Sequence, residues 1–320
     1  MMIMRKLIVI SAAAVAAVSS SVGFEPPGPQ RRREAIGPTR ALPVALQRAF
    51  APDESFQPVP VPGPSDWLAV HQEAGQTFEQ FERSYSNRPD ARRRIIYLQP
   101  LGAFPKEQSP SLEKLREYAA AFFQMEVKSL APVSVGFGGF TSRTNSVTGG
   151  RQVLTADVLR WLKGKLPTNA FCLLAITMED LYPEPSWNFV FGQASLTERV
   201  GVYSFARYDP AFYGAAREPE YQKRVLRRSM KVLTHETGHI FGLAHCIHFS
   251  CVMNGSNHLQ ESDRRPLHLC PVCLRKLQFS VDFDVVKRYA ELARFDKEMG
   301  FEDEAQWLSG RVQRIQTSAN

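Results

Sequence analysis

The stretch from His235 to His245 carries histidines and a glutamate at spacings that suit a metal ion. His235 and His239 are four residues apart. On a helix their side chains therefore differ by only about 40° and lie one turn apart. Imidazole nitrogens are common zinc ligands, and Glu236 directly follows the first histidine. This HExxH pattern predicts a zinc-binding helix that carries its own general base.

His245 can join this set only if the helix ends before it. It lies six residues after His239, which is about 240° further round a continuous helix. Gly242 stands between the two histidines, and glycine takes a positive φ at little cost, ends a helix and turns the chain back. We therefore predict that His235, His239 and His245 bind one zinc ion, in the open tetrahedral arrangement of a catalytic site.

Glu236 is predicted to act on a water molecule at this zinc. It would take the proton from the water as the water attacks a carbonyl, and then pass the proton to the leaving amine. Apolar side chains between Leu226 and Ile240 form a stripe that faces the core. His235 and His239 lie nearly opposite this stripe, which favours metal ligands over core histidines.

Four cysteines follow the third histidine and form a second cluster. Cys246, Cys251, Cys270 and Cys273 have the spacing C-x4-C-x18-C-x2-C, which indicates a structural zinc site of four thiolates. Two disulfides are the alternative, because an exported chain meets an oxidising compartment. A redox pair is disfavoured, since CPVC does not follow a strand of a thioredoxin-like unit. Cys172 lies in an apolar run and is predicted to be an inert core thiol.

The composition is that of a globular protein. The 320 residues are 44% hydrophobic and 22% charged, with a net charge of +7. These values exclude wholesale disorder, collagen and coiled coil. The basic residues are scattered, so we predict no nucleic-acid partner. Downstream of the N-terminus, no apolar run reaches the about 20 residues that a membrane span needs.

Residues 1–23 have the layout of a secretory signal peptide. Arg5 and Lys6 precede the apolar stretch Leu7–Val18, and small residues follow it. We predict cleavage between Ser21 and Phe24, and a secreted or periplasmic protein with no stable membrane span afterwards. An uncleaved anchor or a transit peptide is the alternative, which would leave the protein membrane-anchored or cytoplasmic.

Residues 24–64 hold 10 of the 22 prolines, which predicts an extended Pro-rich linker or a pro-segment, because proline blocks helices and sheet ladders. A catalytic domain is predicted over residues 65–280, including a four-cysteine module over 246–273. A helical extension, a hairpin around Gly300, is predicted over 281–320. Helices alternate with strands, which predicts an α/β fold with a mostly parallel sheet.

The individual elements are predicted from apolar periodicity. The strands are Arg94–Gln99, Ala131–Phe137, Phe171–Thr177, Trp187–Ala194 and Val200–Ala206. The helices are Asp66–Ser84, Ser111–Met125, Val153–Leu166, Tyr221–Phe241, Phe283–Glu298 and Glu302–Gln316.

HETGHIFGLAHC, a later C-x-M and CPVC together resemble the archaemetzincins, a branch of the metzincin metalloproteases. The likeness covers roughly residues 60–280 and includes PGPSDWLAVHQEAGQTFEQFERS. It implies a metzincin-like zincin domain, with a twisted mixed sheet over an active-site helix, and two zinc ions. It also implies that Met253 lies in a turn beneath the catalytic zinc. Trp187–Ala194 would be an antiparallel edge strand on which an extended substrate pairs.

The predicted function is zinc-dependent hydrolysis of peptide bonds. The resemblance suggests aminopeptidase-like action on short peptides, with peptides or proteins as substrates of a monomeric enzyme. The alternative is a zinc-stabilised module that binds a peptide or protein with little or no turnover. An intact Glu236 favours the enzyme, because a binding module would not need it.

Overall fold

The computed structural model describes residues 7–11, 23–84, 87–136 and 138–317. Residues 1–6 and 12–22 of the predicted signal peptide lie outside the described residues, and so does part of the predicted cleavage region between Ser21 and Phe24. The chain divides into two compact units. One contains residues 1–17, 87–120 and 125–241, and the other residues 18–86, 121–124 and 242–320. This division differs from the predicted domain boundaries. The cysteine module and the C-terminal extension were predicted in separate domains, and they lie in the same unit.

The strands of the described residues form one sheet, which belongs to the first unit. They are β1 (Leu7–Ser11), β2 (Ile95–Leu101), β3 (Glu126–Ser129), β4 (Ser142–Thr144), β5 (Arg151–Leu154), β6 (Ala170–Thr177), β7 (Asp180–Tyr182), β8 (Val190–Ser195) and β9 (Val200–Ser204). Their order is β3-β2-β6-β9-β8-β7-β5-β4, and β1 pairs with β8. Among these described strands four pairings are parallel and four antiparallel, so the sheet is mixed rather than mostly parallel.

The helices lie before, between and after these strands in the sequence, and they form most of the second unit. They are α1 (Pro29–Ile36), α2 (Val44–Ala49), α3 (Trp67–Val70), α4 (Phe78–Arg83), α5 (Leu112–Phe123), α6 (Thr155–Lys163), α7 (Tyr221–Ile240), α8 (Leu259–Asp263), α9 (Pro271–Val281), α10 (Val285–Glu298) and α11 (Glu302–Gln316). Within the described ranges, no helix combines the length and the apolar character needed to cross a bilayer. The prediction for α11 matches its bounds, and those for α5, α10, β6 and β9 differ by at most two residues at either end.

The predicted extended linker over residues 24–64 is wrong where α1 and α2 form. Pro29 occupies the first turn of α1, and Pro43 is the N-cap of α2. A proline costs no hydrogen bond at these positions, because the first N–H groups of a helix have no partner within the helix. Ile36 and Ala49 are buried, so the segment is packed rather than extended. Its role as a pro-segment stays a prediction.

The predicted helix over Asp66–Ser84 is also wrong, because the chain leaves the helical conformation between α3 and α4. Gly75 in this stretch has φ +68°, which ordinary residues rarely adopt. Thr77 then starts α4 with a capping box, in which its side chain accepts from the Gln80 backbone N–H. The glycine and the cap outweigh the apolar periodicity that suggested one helix.

The predicted strand over Ala131–Phe137 is wrong for its described residues, and Phe137 lies outside them. Only Val133 makes a single bridge there, to Leu101. Pro132 has no N–H to donate to a sheet ladder. β2 pairs in parallel with β3, which ends just before Ala131, and with β6.

β8 runs antiparallel to β9, as predicted for Trp187–Ala194, but the prediction that it is an open edge is wrong. β1 pairs along it in antiparallel register, with Leu7 opposite Ser195 and Ile10 opposite Gly192. An edge strand offers unpaired N–H and C=O groups that accept another strand. A segment of the predicted signal peptide takes that place here.

The core of the first unit lies between the sheet and α7. Every residue of β6 is buried, and α7 packs on β8 and β9. Phe171 stacks on Phe241 with ring centroids 4.2 Å apart. Residues 231–240 of α7 are buried on all sides, whereas the sequence predicted only one buried stripe. The histidines of this helix are therefore held in a packed interior.

In the second unit the C-terminal helices pack on an early segment of the chain. α10 and α11 form the predicted hairpin, with Gly300 at φ +72° between them. The Arg48 Nη1 donates to the Ile315 carbonyl at 3.0 Å, and the Trp307 Nε1 donates to the Ser55 carbonyl at 3.0 Å. α11 thereby fixes residues 48–55 on the C-terminal hairpin.

Candidate metal centres

His235 and His239 converge in the buried half of α7. Their Nε2 atoms are 3.0 Å apart, and their ring planes meet at 86°. Two nitrogens at about 2.0–2.1 Å from one tetrahedral zinc would stand about 3.3 Å apart. The two imidazoles are therefore already placed to share one ion.

Glu236 lies between these histidines in the sequence and is fully buried, with 0% of its surface exposed. Within the described part of the chain, neither carboxylate oxygen has a hydrogen-bond partner. Burial raises the pKa of Glu236 to about 8. A buried carboxylate without a hydrogen-bond donor destabilises the folded state. The Glu236 carboxylate therefore needs a cation nearby and a polar molecule that donates to it. The donor set fits a divalent metal ion with water.

The end of α7 follows the prediction made from Gly242. The helix stops at Ile240, and Gly242 has φ +92°. In the second unit the Gln76 side chain holds the turn, because its Nε2 donates to the Gly242 carbonyl at 3.2 Å and its Oε1 accepts from the Ala244 N–H at 3.2 Å. His245 follows this turn, and its side chain is 9% exposed.

The four cysteines of the module come together in the second unit. One sulfur atom from each of Cys246, Cys251, Cys270 and Cys273 lies within 4.8 Å of the others, and all four thiols are buried and free. The Cys246 and Cys270 Sγ atoms are 3.5 Å apart. A disulfide is about 2.0 Å long, and two thiolates on one zinc stand about 3.8 Å apart. The cluster has the spacing of a metal site rather than of two disulfides.

The surroundings of the cluster favour negative charge on sulfur. The Cys251 Sγ accepts from the backbone N–H of Met253 at 3.5 Å and of Cys270 at 3.3 Å. Cys270 is the N-cap of α9, where the helix dipole stabilises an anion. Hydrogen bonds from Cys251, Cys270 and Cys273 lower the pKa of Cys246, while burial raises the pKa of Cys270. Burial opposes ionisation of Cys270, so a thiolate there needs a cation.

Asn254 is a residue of this module that the sequence analysis missed. Its Oδ1 accepts from the Cys251 N–H at 2.8 Å, and its Nδ2 donates to the carbonyls of Cys246 at 2.7 Å and Phe249 at 2.9 Å. Met253 beside it is fully buried in the turn, and its carbonyl accepts from the Cys246 N–H at 2.8 Å. The tendency of asparagine to close turns with its side chain was the available signal.

A third group of possible ligands, Asp66, His258 and Glu261, has a structural explanation. Arg264 donates to the Asp66 carboxylate at 2.8 Å, and Arg265 donates to the Glu261 carboxylate at 3.0 Å. Backbone N–H groups fill further positions on both carboxylates. Two arginines already supply the positive charge, so this group needs no metal.

A family model described as Peptidase family M54 matches residues 156–279. The chain is 45% identical to archaemetzincin-2 of Macaca fascicularis in an alignment of length 278, which covers 78% of this chain and 77% of that protein. This chain belongs to the archaemetzincin family. The resemblance stated from the motifs is thereby confirmed, and the chain is a zinc metallopeptidase, a hydrolase with peptide substrates.

The chain is also similar to other archaemetzincins. The human archaemetzincin-2 is 44% identical over the same share of both chains. The solved archaemetzincin of Methanopyrus kandleri is 32% identical, with a TM-score of 0.47, and the match covers 61% of this chain and 99% of that one. The coarse prediction of an α/β fold with a mixed sheet and a four-cysteine cluster is confirmed.

Proposed function

We propose that the chain hydrolyses peptide bonds at a zinc ion held by His235, His239 and His245. The buried Glu236 carboxylate, which follows His235 and has no hydrogen-bond partner in the described part of the chain, is the observation that carries this proposal. A bound zinc ion supplies a Lewis acid that activates water and polarises the substrate carbonyl. The converging Nε2 atoms of His235 and His239 support the same assignment.

Glu236 moves the proton in this proposal. Its carboxylate accepts the proton from the attacking water and later delivers it to the nitrogen of the leaving amine. The packed interior around α7 keeps bulk water away from the carboxylate, so that the proton stays on it between the two steps. No other carboxylate of α7 can compete, because Glu236 is the only acidic residue between Tyr221 and Ile240.

A second zinc ion is proposed at Cys246, Cys251, Cys270 and Cys273, which gives two per chain. The close approach of the four buried sulfurs supports it. So do the two backbone N–H groups directed at the Cys251 sulfur. This zinc would stabilise the second unit and take no part in hydrolysis.

Export is proposed from the sequence, with loss of residues 1–23. That cleavage would remove β1 and free the backbone of β8 beyond Val190, where β7 pairs, for an extended substrate. A monomeric state is proposed as well.

A peptide-binding module with little turnover is the second candidate function. This function needs a strand that accepts an extended backbone, and β8 accepts β1 along its length. Both candidates use the same strand, so only turnover separates them.

We further propose aminopeptidase-like action on short peptides. Digestion of a peptide library with free or acetylated amino termini, followed by mass spectrometry, tests it. We expect removal of single residues from free amino termini only, stopped by a chelator and restored by zinc. Cleavage inside acetylated peptides would instead indicate an endopeptidase. Binding without any cleavage would favour the binding module.

Gly242→Ala is expected to weaken zinc binding at the histidines by about tenfold. A Cβ in the left-handed conformation costs about 1–2 kcal/mol, and a tenfold change in affinity corresponds to about 1.4 kcal/mol. The strain falls on the turn before His245, whose bond to zinc tolerates little displacement. Competition with a chelator of known affinity measures the change.

Gly149→Ala is the matched control for this prediction. Gly149 also has a positive φ, +68°, and a Cβ there would meet open space. The variant carries the same backbone strain in another part of the chain. Equal zinc affinities in the two variants would contradict the role of the Gly242 turn.

A further inference from the structure

The stretch between α3 and α4 lies against the loop that carries His245, and both belong to the second unit. Gly75 makes this close approach possible, because a Cβ there would stand 2.6 Å from the Ile247 Cγ1. The next residue, Gln76, fixes the loop with two hydrogen bonds. Its side chain donates to the Gly242 carbonyl and accepts from the Ala244 N–H. The Lys276 ammonium in turn donates to the Gln76 carbonyl. The stretch is therefore fixed relative to the loop.

Glu73 of this stretch contacts His245 directly. Its Oε1 lies 2.6 Å from the His245 Nδ1, which is short for a hydrogen bond between nitrogen and oxygen and typical of an ionised partner. A carboxylate can only accept, so the Nδ1 must carry the proton. This tautomer puts the lone pair of the ring on Nε2, the atom that a metal ion would take.

Trp67 holds Glu73 in this position. The indole Nε1 donates to the same Oε1 atom of Glu73 at 2.8 Å. The indole ring also meets the His245 ring edge-on, at 5.1 Å between centroids and 82° between planes. Trp67 is 8% exposed, so it is itself held in place. This hydrogen bond and this aromatic contact limit the orientation of the His245 ring.

We propose that Glu73 is a positioning residue that fixes the tautomer and the orientation of His245 for metal binding. This inference rests on the proposed function, in which His245 binds the catalytic zinc. Glu73 lies outside residues 156–279, which the family model matches. Loss of a carboxylate behind a metal-binding histidine typically costs 10- to 100-fold in metal affinity, about the size of effect we expect here.

The test compares Glu73→Ala, Glu73→Gln and His245→Ala in the full chain. Zinc affinity is measured by chelator competition, and the visible spectrum is recorded after Co²⁺ replaces the histidine-bound metal. We expect Glu73→Ala to bind zinc about 10- to 100-fold more weakly and to change the cobalt spectrum. Glu73→Gln keeps an acceptor oxygen for the Nδ1 proton and should recover part of the affinity. Thermal unfolding of the metal-free proteins reports any general loss of stability.

Glu304→Ala is the matched control. The Glu304 Oε2 lies 2.8 Å from the Nδ1 of His268, and the pair lies in the same unit, with Glu304 buried and His268 partly buried. The substitution removes the same kind of contact from a histidine outside the proposed ligands. We expect it to lower thermal stability while the affinity and the cobalt spectrum of the histidine site stay unchanged.

The outcomes separate this inference from the proposed function. If His245→Ala loses zinc affinity while Glu73→Ala keeps it, the positioning role of Glu73 is refuted and the ligand assignment stands. If His245→Ala binds zinc as tightly as the natural chain, the ligand assignment fails and the role of Glu73 fails with it. An equal loss of affinity in Glu73→Ala and Glu304→Ala would show a general effect of stability and would also overturn the inference.

Discussion

Glu236→Gln is expected to lower peptide hydrolysis by about 10²- to 10⁴-fold, the usual contribution of a positioned general base. Glutamine keeps the shape of the side chain but cannot accept the proton of the attacking water. The zinc content should stay unchanged, because Glu236 is proposed as a base and not as a ligand. Thermal stability should hold or rise, since a neutral amide replaces a buried carboxylate that has no donor among the described residues. Steady-state kinetics and elemental analysis measure these changes.

Glu220→Gln serves as the control for this substitution. Glu220 is the N-cap residue of α7, and its side chain is 73% exposed. The same chemical change there should leave hydrolysis unaltered. Cleavage by Glu236→Gln at close to the natural rate would refute the role of Glu236 as the base. If Glu236→Gln lost zinc, Glu236 would be a zinc ligand and not the base.

Cys251→Ser should remove one of two zinc ions and destabilise the second unit severely. A structural zinc site contributes about 10–16 kcal/mol of apparent binding free energy in zinc-finger peptides near neutral pH. A whole domain is typically stable by about 5–15 kcal/mol, so the loss of even part of this binding can unfold it. Serine has nearly the shape of cysteine but is a poor zinc ligand. Elemental analysis, thiol titration and limited proteolysis of residues 242–317 follow the effect.

Cys172→Ala is the control for the cysteine prediction. Cys172 is fully buried in β6, and burial raises the pKa of its thiol. The variant should keep both zinc ions and lose only the packing of one sulfur atom. A natural chain with one zinc ion and no free thiol beyond Cys172 would show that the module is closed by disulfides, and the structural zinc would have to be abandoned.

The parts of the site that the sequence predicted are those that depend on local geometry. His235 and His239 converge because a helix brings residues four apart together, and Gly242 ends that helix as its conformational freedom suggested. The approach of the four cysteines was visible in their spacing. These features need only the residues from 235 to 273 and ordinary helix geometry.

Contacts between distant residues had no such signal. Glu73 meets His245 across 172 residues, and no periodic pattern connects the two. The prolines of residues 24–64 were interpreted as helix breakers, because the sequence does not show where each helix starts. Pro29 and Pro43 lie at helix starts, where a proline costs no hydrogen bond. The pairing of β1 with β8 was missed for a similar reason, since Leu7–Ser11 has the composition of a leader as well as of a strand.

The attachment of α11 to residues 48–55 affects the order in which the chain can fold during translation. The Arg48–Ile315 contact closes a loop of 267 residues, and contacts of such long range form late and slow folding. Glu304 also accepts from the Leu267 N–H and pairs with His268, just before Cys270. The ribosome must therefore release α11 before the cysteine loop gains its last supports. A premature stop codon just before α11 would leave the early segments without their partner and expose them to aggregation.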